Sequence, residues 1–158
     1  MDLFDLNEPK DLYKIILQVY DEYSCTPTER NFLFLVLGFT HLREWISESS
    51  YYEIRSKKEK GQALTDGEHF FEEIYLLPSF RTIQELCNRG KHHVTHVEHG
   101  LTSKVEGFQM GLGKMGDSLG QMYFLIDGED SRDYFFELVK KYNEWFGRAK
   151  LGEHKDAG

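Results

Sequence analysis

The run TPTERNFLFLVLGFTHLREWI, from Thr26 to Ile46, opens with a helix-start pattern and then turns apolar almost all the way round. Thr26 offers a hydroxyl to the orphan N–H groups of a first turn, Pro27 suits the first helical position, and Glu29 completes a capping box. From Phe32 to Phe39 nearly every side chain is apolar, and one-sided periodicity returns only at Leu42, Trp45 and Ile46. A helix that is apolar on every side has to be covered on every side, which predicts a position in the middle of a helical bundle. His41, Arg43 and Glu44 lie on its C-terminal half, where such a helix emerges toward a surface or a cleft.

The segments around it supply the partners. Leu12, Ile15, Ile16, Val19, Tyr20 and Tyr23 recur at three- and four-residue spacing and predict an amphipathic helix after Asn7-Glu-Pro-Lys-Asp11. Residues 49 to 66 break the pattern and carry Lys57, Lys58 and Lys60, which predicts a mobile connection with at most a few helical turns and a solvated charge run. Thr65-Asp-Gly-Glu68 is a second capping box, and the helix it opens, through His69, Phe70, Phe71, Ile74, Tyr75 and Leu76, is stopped by Pro78. Ser79 is placed to cap the next helix, whose core face is Phe80, Ile83, Leu86 and Cys87. After Gly100 the period changes to about two, which predicts a hairpin. Its first strand holds Val105, Phe108, Met110 and Leu112, its turn is near Met115-Gly-Asp-Ser118, and its second strand is Met122 to Ile126. Asp127-Gly-Glu-Asp130 then caps a last helix with the stripe Tyr134, Phe135, Leu138, Val139, Tyr142, Trp145 and Phe146, closed by Gly147.

The expected fold is therefore α+β and mostly α, a bundle of four to five helices with one antiparallel β-hairpin, at about 104–126, before the C-terminal helix. Residues 1–147 form one domain and 148–158 a flexible tail. A chain of 158 residues is long enough to bury roughly 68–70% of its unfolded surface in a single core. With 12 Phe and 9 Tyr, that core is expected to be well packed rather than disordered. The formal net charge of −8 argues against a general nucleic-acid binder, because counterion release needs a dense cationic face, while leaving room for a local basic site. Cys25 and Cys87 are too far apart for a CxxC pair or a zinc knuckle, and Cys87 falls on an apolar stripe as a buried thiol. The acidic start MDLFDLNEPKD lacks the basic and apolar regions of a signal peptide, and no apolar run approaches the ~20 residues of a membrane span. A cytoplasmic protein is expected.

Chemistry is concentrated between Cys87 and His99, where four of the seven histidines stand with Asn88, Arg89 and Lys91. Imidazoles change charge near neutral pH, so the cluster suits acid–base work or metal binding. If the helix from Ser79 runs on past Gly90, His92, His96 and His99 share one face and form a possible metal set. The same geometry offers Arg89 and His96 for metal-free cleavage of a phosphodiester, in which a base, an acid and a cation act on the 2′-hydroxyl, the leaving oxygen and the phosphorane charge. If the chain turns at Gly90, the segment is a solvated connection with Asn88 or Gly90 as C-cap and the basic residues at the negative end of the helix dipole. The spacing Gly111-Leu-Gly113-Lys-Met-Gly116 fails as a phosphate loop, since neither GKS/GKT nor a following helix is present.

An Arg followed a few residues later by His at the end of a core helix, here Arg89 and His96, resembles the HEPN superfamily. That resemblance implies an α-helical bundle, dimerisation, and metal-independent ribonuclease activity in toxin or antiphage systems, with His96 as acid or base, Arg89 as phosphate stabiliser, and Asn88 and His92 in support. Gly90 stands where family members usually carry a polar residue, and the hairpin is an addition to a minimal bundle. The runs Leu86-Cys-Asn-Arg-Gly-Lys-His92, His-Leu-Arg-Glu-Trp45 and Glu-Trp-Phe146 also look like small uncharacterised bacterial proteins marked by Asn, two small or polar residues, and Lys-His, which singles out Asn88, Lys91 and His92 and implies no activity. The expected function is a ribonuclease without a cofactor, acting as a homodimer on RNA. The alternatives are a non-catalytic module for a protein partner and a metal-binding protein using His92, His96 and His99.

Overall fold

The computed structural model describes residues 5–92 and 101–153. Five helices precede a three-stranded antiparallel sheet, and a sixth follows it: α1 (Pro9–Cys25), α2 (Glu29–Ser47), α3 (Tyr51–Glu59), α4 (Asp66–Tyr75), α5 (Pro78–His92), β1 (Thr102–Glu106), β2 (Met122–Ile126), β3 (Glu129–Asp130) and α6 (Ser131–Glu153). The mostly helical α+β fold is as the sequence predicts.

Helix α2 is the hub, packing against α1, α4 and α5, while α6 packs on α1, α5 and the sheet. Leu35, Val36, Phe39, Leu42 and Ile46 are buried, and Phe39 stacks between Phe135 and Tyr142 of α6 at ring distances of 5.9 and 5.8 Å. The covering is incomplete, however: Leu33 and Phe34 are exposed. The first turn is capped by Thr28 rather than Thr26. Thr28 is extended (φ −133°, ψ 153°) and its hydroxyl accepts the Asn31 N–H at 3.2 Å, whereas Pro27, expected inside the helix, precedes the cap.

Three buried phenols tie the layers. Tyr13 Oη donates to the Asn143 side chain at 2.7 Å and lies 3.1 Å from the Val139 carbonyl. Tyr142 Oη donates to the Phe39 carbonyl at 2.6 Å, and Tyr23 Oη bonds Ser131 Oγ at 2.6 Å. Burial raises the pKa of all three, so each stays a neutral donor. The core of α5 is Phe80, Ile83 and Cys87, and Cys87 is a buried free thiol, as expected.

Several local expectations are corrected. The few helical turns allowed for in residues 49–66 are a defined helix at 51–59, because Ser50 caps the Glu53 N–H while the Glu53 carboxylate accepts the Ser50 N–H at 2.6 Å. The lysines on α3 are anchored: Lys57 Nζ lies 2.6 Å from the buried Glu68 carboxylate and Lys58 Nζ 2.7 Å from Glu72. Ser79 does not cap α5. It sits inside the helix that Pro78 opens, and its hydroxyl bonds Glu137 of α6. The first strand ends at Glu106, so Phe108, Met110 and Leu112 fall in the connection to β2. Of the run Asp127–Asp130 expected to cap the last helix, Asp130 does so, its Oδ1 accepting the Arg132 N–H at 2.9 Å, while Asp127 and Gly128 form the tight β2–β3 turn; both have positive φ, 51° and 82°, as a primed hairpin turn demands. Helix α6 passes through Gly147 to Glu153, because glycine lowers helix propensity without forcing a break. Among the described residues no helix is long and apolar enough to cross a membrane.

Candidate functional site

A groove of about 1220 Å³ is formed by α3, α4 and α5, with Arg43 of α2 in its lining. One stripe of α5 supplies a wall through Arg81, Gln84, Glu85 and Asn88, residues three or four apart on one helical face. Tyr51 and Tyr52 of α3 and Tyr75 and Leu76 at the end of α4 form the opposite rim, and all four are exposed. Exposed aromatic rings gathered at one groove are a contact surface rather than core.

Helix α4 comes close enough to build this groove because Gly67 lets its first turn pass α2. A Cβ at position 67 would lie 2.4 Å from the Ile46 carbonyl oxygen. Glu68, fully buried in the same first turn, accepts from Lys57 Nζ at 2.6 Å, Ser49 Oγ at 2.8 Å and the Thr65 N–H at 2.8 Å. These donors, Lys57 first, hold its carboxyl down at about 2. That charged knot fixes α3 against α4.

Charge in the groove is unevenly balanced. Arg55 pairs with Glu59, Lys58 with Glu72, and Glu73 with Lys141 and Arg148. Arg43 is 4% exposed and has no carboxylate partner among the described residues. Its guanidinium lies over the Phe71 ring at 3.9 Å and the Phe80 ring at 4.7 Å, and Nη1 reaches the Phe71 carbonyl at 3.4 Å. Buried Nε has no acceptor. Burial lowers the Arg43 pKa, and the charge of Glu44, one residue on, offsets that desolvation only in part.

A second hollow, of about 520 Å³, lies beside α6 and is lined by Tyr20, Ser24, Cys25, Lys114 and Arg132 among others. Its buried cation is fully compensated. Arg132 Nη1 and Nη2 meet the two oxygens of Asp117 at 2.8 and 3.0 Å, and Nε and Nη2 meet Asp130 Oδ2 at 3.0 and 2.8 Å. Nη1 also donates to the Ser24 carbonyl at 3.2 Å, while Tyr123 Oη donates to Asp117 at 3.1 Å. The adjoining Arg132 holds the Asp117 carboxyl far below the usual carboxylate range. This cluster clamps the β1–β2 connection onto the start of α6 and has no positive charge left over for an anionic ligand.

No protein-family model, curated protein or solved structure matches the chain. The site therefore rests on its own geometry. Of the residues singled out in the sequence, Asn88 lines the groove; Arg89 follows it on α5, half-buried, and is not part of the lining. Helix α5 continues through Gly90, whose φ is not positive, and His92 is its last residue. His93, His96 and His99 lie outside the described residues, so the pairing of Arg89 with His96 and the set His92, His96 and His99 do too. Among the described residues no three His, Cys, Asp or Glu are gathered to hold a metal. His41 is half-buried on α2 with Nδ1 3.1 Å from Glu44.

Arg43 and the Arg132 cluster were missed as site features. Arg43 was detectable, because Val36, Phe39, Arg43 and Ile46 fall at three- and four-residue spacing on one face of α2. Arg132 joins Asp117 fifteen residues away, a pairing that no local pattern contains.

Proposed function

We propose that the protein is a HEPN-like, metal-independent ribonuclease acting on single-stranded RNA, of the kind that serves toxin or defence systems, and that it works as a homodimer. The observation that carries this reading is the course of α5: it brings Asn88 to a groove lined by arginines and tyrosines, and it stays helical past Gly90 toward the histidine segment. Tyrosine rings accept stacked bases without regard to sequence, and cations track a phosphate backbone. In the proposed reaction His96 takes the 2′-hydroxyl proton or protonates the leaving oxygen, with His92 and Asn88 in support. Arg89 neutralises the phosphorane. The net charge of −8 confines RNA to this one face.

The test is cleavage of a single-stranded RNA in EDTA. Wild type should cleave, and His96→Ala should lose about 10²–10⁴-fold in rate, the usual weight of a general acid or base. A wild type that needs metal, or a His96→Ala variant as fast as wild type, would sink the proposal.

A second reading, a protein-binding module, draws on a different surface. The connection between β1 and β2 exposes Phe108, Met110, Met115 and Leu119, and β1 is an edge strand of the sheet. Such exposed methionines and a free edge suit docking to another chain. If RNA is not cleaved, light scattering on wild type and Met115→Glu would show whether this surface holds two copies together.

A further inference from the structure

We propose that Arg43 is a phosphate subsite, which seats one backbone phosphate of a single-stranded oligoribonucleotide whose bases lie against Tyr75, Tyr51 and Tyr52. This rests on the RNA reading of the groove. It goes further by assigning binding to a residue of α2, away from the histidine segment.

The argument starts from an imbalance. A buried cation normally sits opposite a carboxylate, since burying an unpaired charge is costly. Arg132 meets that rule twice over; Arg43, buried to the same degree, forms no ion pair with a carboxylate among the described residues. Ring faces compensate in part, with Phe71 at 3.9 Å, Phe80 at 4.7 Å and Tyr75 at 5.8 Å from the guanidinium carbon. They supply no hydrogen-bond acceptors. Of the five N–H donors on Arg43, one meets an acceptor among the described residues, the Phe71 carbonyl at 3.4 Å.

The neighbouring acids form no ion pair with this cation: Glu44, whose charge supports it from a distance, lies 3.1 Å from His41 Nδ1. Glu59, Glu72 and Glu73 are engaged by Arg55, Lys58 and by Lys141 with Arg148. Arg81 also lines the groove and forms no ion pair among the described residues, so a second cation stands one wall away. Glu85 opposes them as the one lining carboxylate without an ion pair among those residues, which favours an anion held at Arg43 over one spread along α5.

A planar fork in an apolar floor suits phosphate, because guanidinium and phosphate match in geometry as well as charge. Tyr75 ties the subsite to the aromatic rim, since its ring flanks the Arg43 guanidinium and is itself about half exposed. Tyr51 and Tyr52, on the same rim, stand edge to face at 5.7 Å. Phosphate on the floor and bases on the rim is the pattern of a sequence-tolerant single-strand site.

The experiment is fluorescence anisotropy of the full chain with a labelled 2′-O-methyl oligonucleotide of about eight nucleotides, a length within the range of one single-strand site. It cannot be cleaved through its 2′-oxygen. Arg43→Gln should weaken binding about 10- to 100-fold, the weight of a charge-assisted hydrogen bond, and should reduce the salt slope by about 0.7. Tyr75→Ala, on the exposed rim, should weaken it about fivefold or more by loss of stacking. Unchanged affinity and slope in a folded Arg43→Gln overturn the subsite. If that variant does not fold, a wild-type affinity independent of salt, or a Tyr75→Ala affinity equal to wild type, overturns it as well.

The two proposals fail separately. Arg43-dependent binding without any cleavage of ordinary RNA by wild type leaves the subsite standing and removes the ribonuclease. Cleavage lost in His96→Ala, with binding indifferent to Arg43, does the reverse.

Discussion

Replacing Arg132 by Met keeps most of the aliphatic stem and removes the one cation between Asp117 and Asp130, whose side chains are 5% and 4% exposed. Breaking a buried pair by deleting one partner costs roughly 3–5 kcal/mol, because the other charge is left uncompensated. Here two carboxylates are stranded, so the upper half of that range is expected. At about 2–4 °C per kcal/mol for a chain of this size, the midpoint of thermal unfolding should fall by ~8–20 °C. The pH dependence checks the cause. In wild type the Asp117 pKa is depressed, so its contribution is fully present above the ordinary carboxylate range and is lost only as pH falls below it. Without Arg132, burial beside Asp130 should push the Asp117 carboxyl above that range, and acid would relieve the repulsion. Thermal melts of both proteins between pH 7 and pH 4 should therefore show the gap narrowing. A gap below about 1 kcal/mol at pH 7, the worth of an exposed pair, would refute the clamp; a gap that does not change with pH would refute the electrostatic account of it.

Three further outcomes are expected. Glu68→Gln should flatten the acid limb of the stability profile: with its carboxyl held at about 2 by Lys57, Thr65 and Ser49, wild-type stabilisation by this group is present above about pH 4.3 and is lost as pH falls toward 2, and equally steep melts for both proteins would contradict this. Tyr142→Phe removes the 2.6 Å hydrogen bond to the Phe39 carbonyl at a cost of about 0.5–1.5 kcal/mol, and a denaturant titration showing no change in midpoint would argue against that bond. Gly90→Ala adds a methyl group that meets nothing within 4 Å in an α5 of ordinary φ, so it should stabilise by about 0.5–1 kcal/mol; destabilisation would mean that the chain turns at Gly90.

Legibility in the sequence followed the range of the interactions. The helices of Thr65-Asp-Gly-Glu68 and of the stripe from Tyr134 to Phe146 were readable because caps and apolar periodicity are local. Helix α3 is legible only as a few turns, since its composition is polar and the ion pairs that hold it to α4 lie eleven and fourteen residues away, although its Ser50–Glu53 cap is local. The first strand was overextended because Phe108, Met110 and Leu112 alternate like a strand, yet the chain leaves β1 after Glu106. Gly107 has a positive φ of 89°. In Asp127-Gly-Glu-Asp130 the cap is Asp130, and the primed turn at Asp127-Gly128 hides beside it because acidic caps and such turns draw on the same residue types.

The candidate site shows the same division on a single helix. Histidines drew the sequence reading to residues 87–99 because titratable side chains in a cluster are conspicuous, whereas Arg43 stands alone between Leu42 and Glu44. Its place on α2 carries the information, since the face that buries Leu35, Phe39, Leu42 and Ile46 also turns Arg43 inward. An arginine at a core-facing helical position must meet an anion, a ring or a ligand. Rings take up part of its charge here, no carboxylate does, and the groove opens beside it. Net charge alone would have turned attention away from any phosphate, because −8 averages over a surface whose acids are largely committed to their own partners at this groove. The distribution of pairs, and which cation is left out of it, decides where an anion can bind.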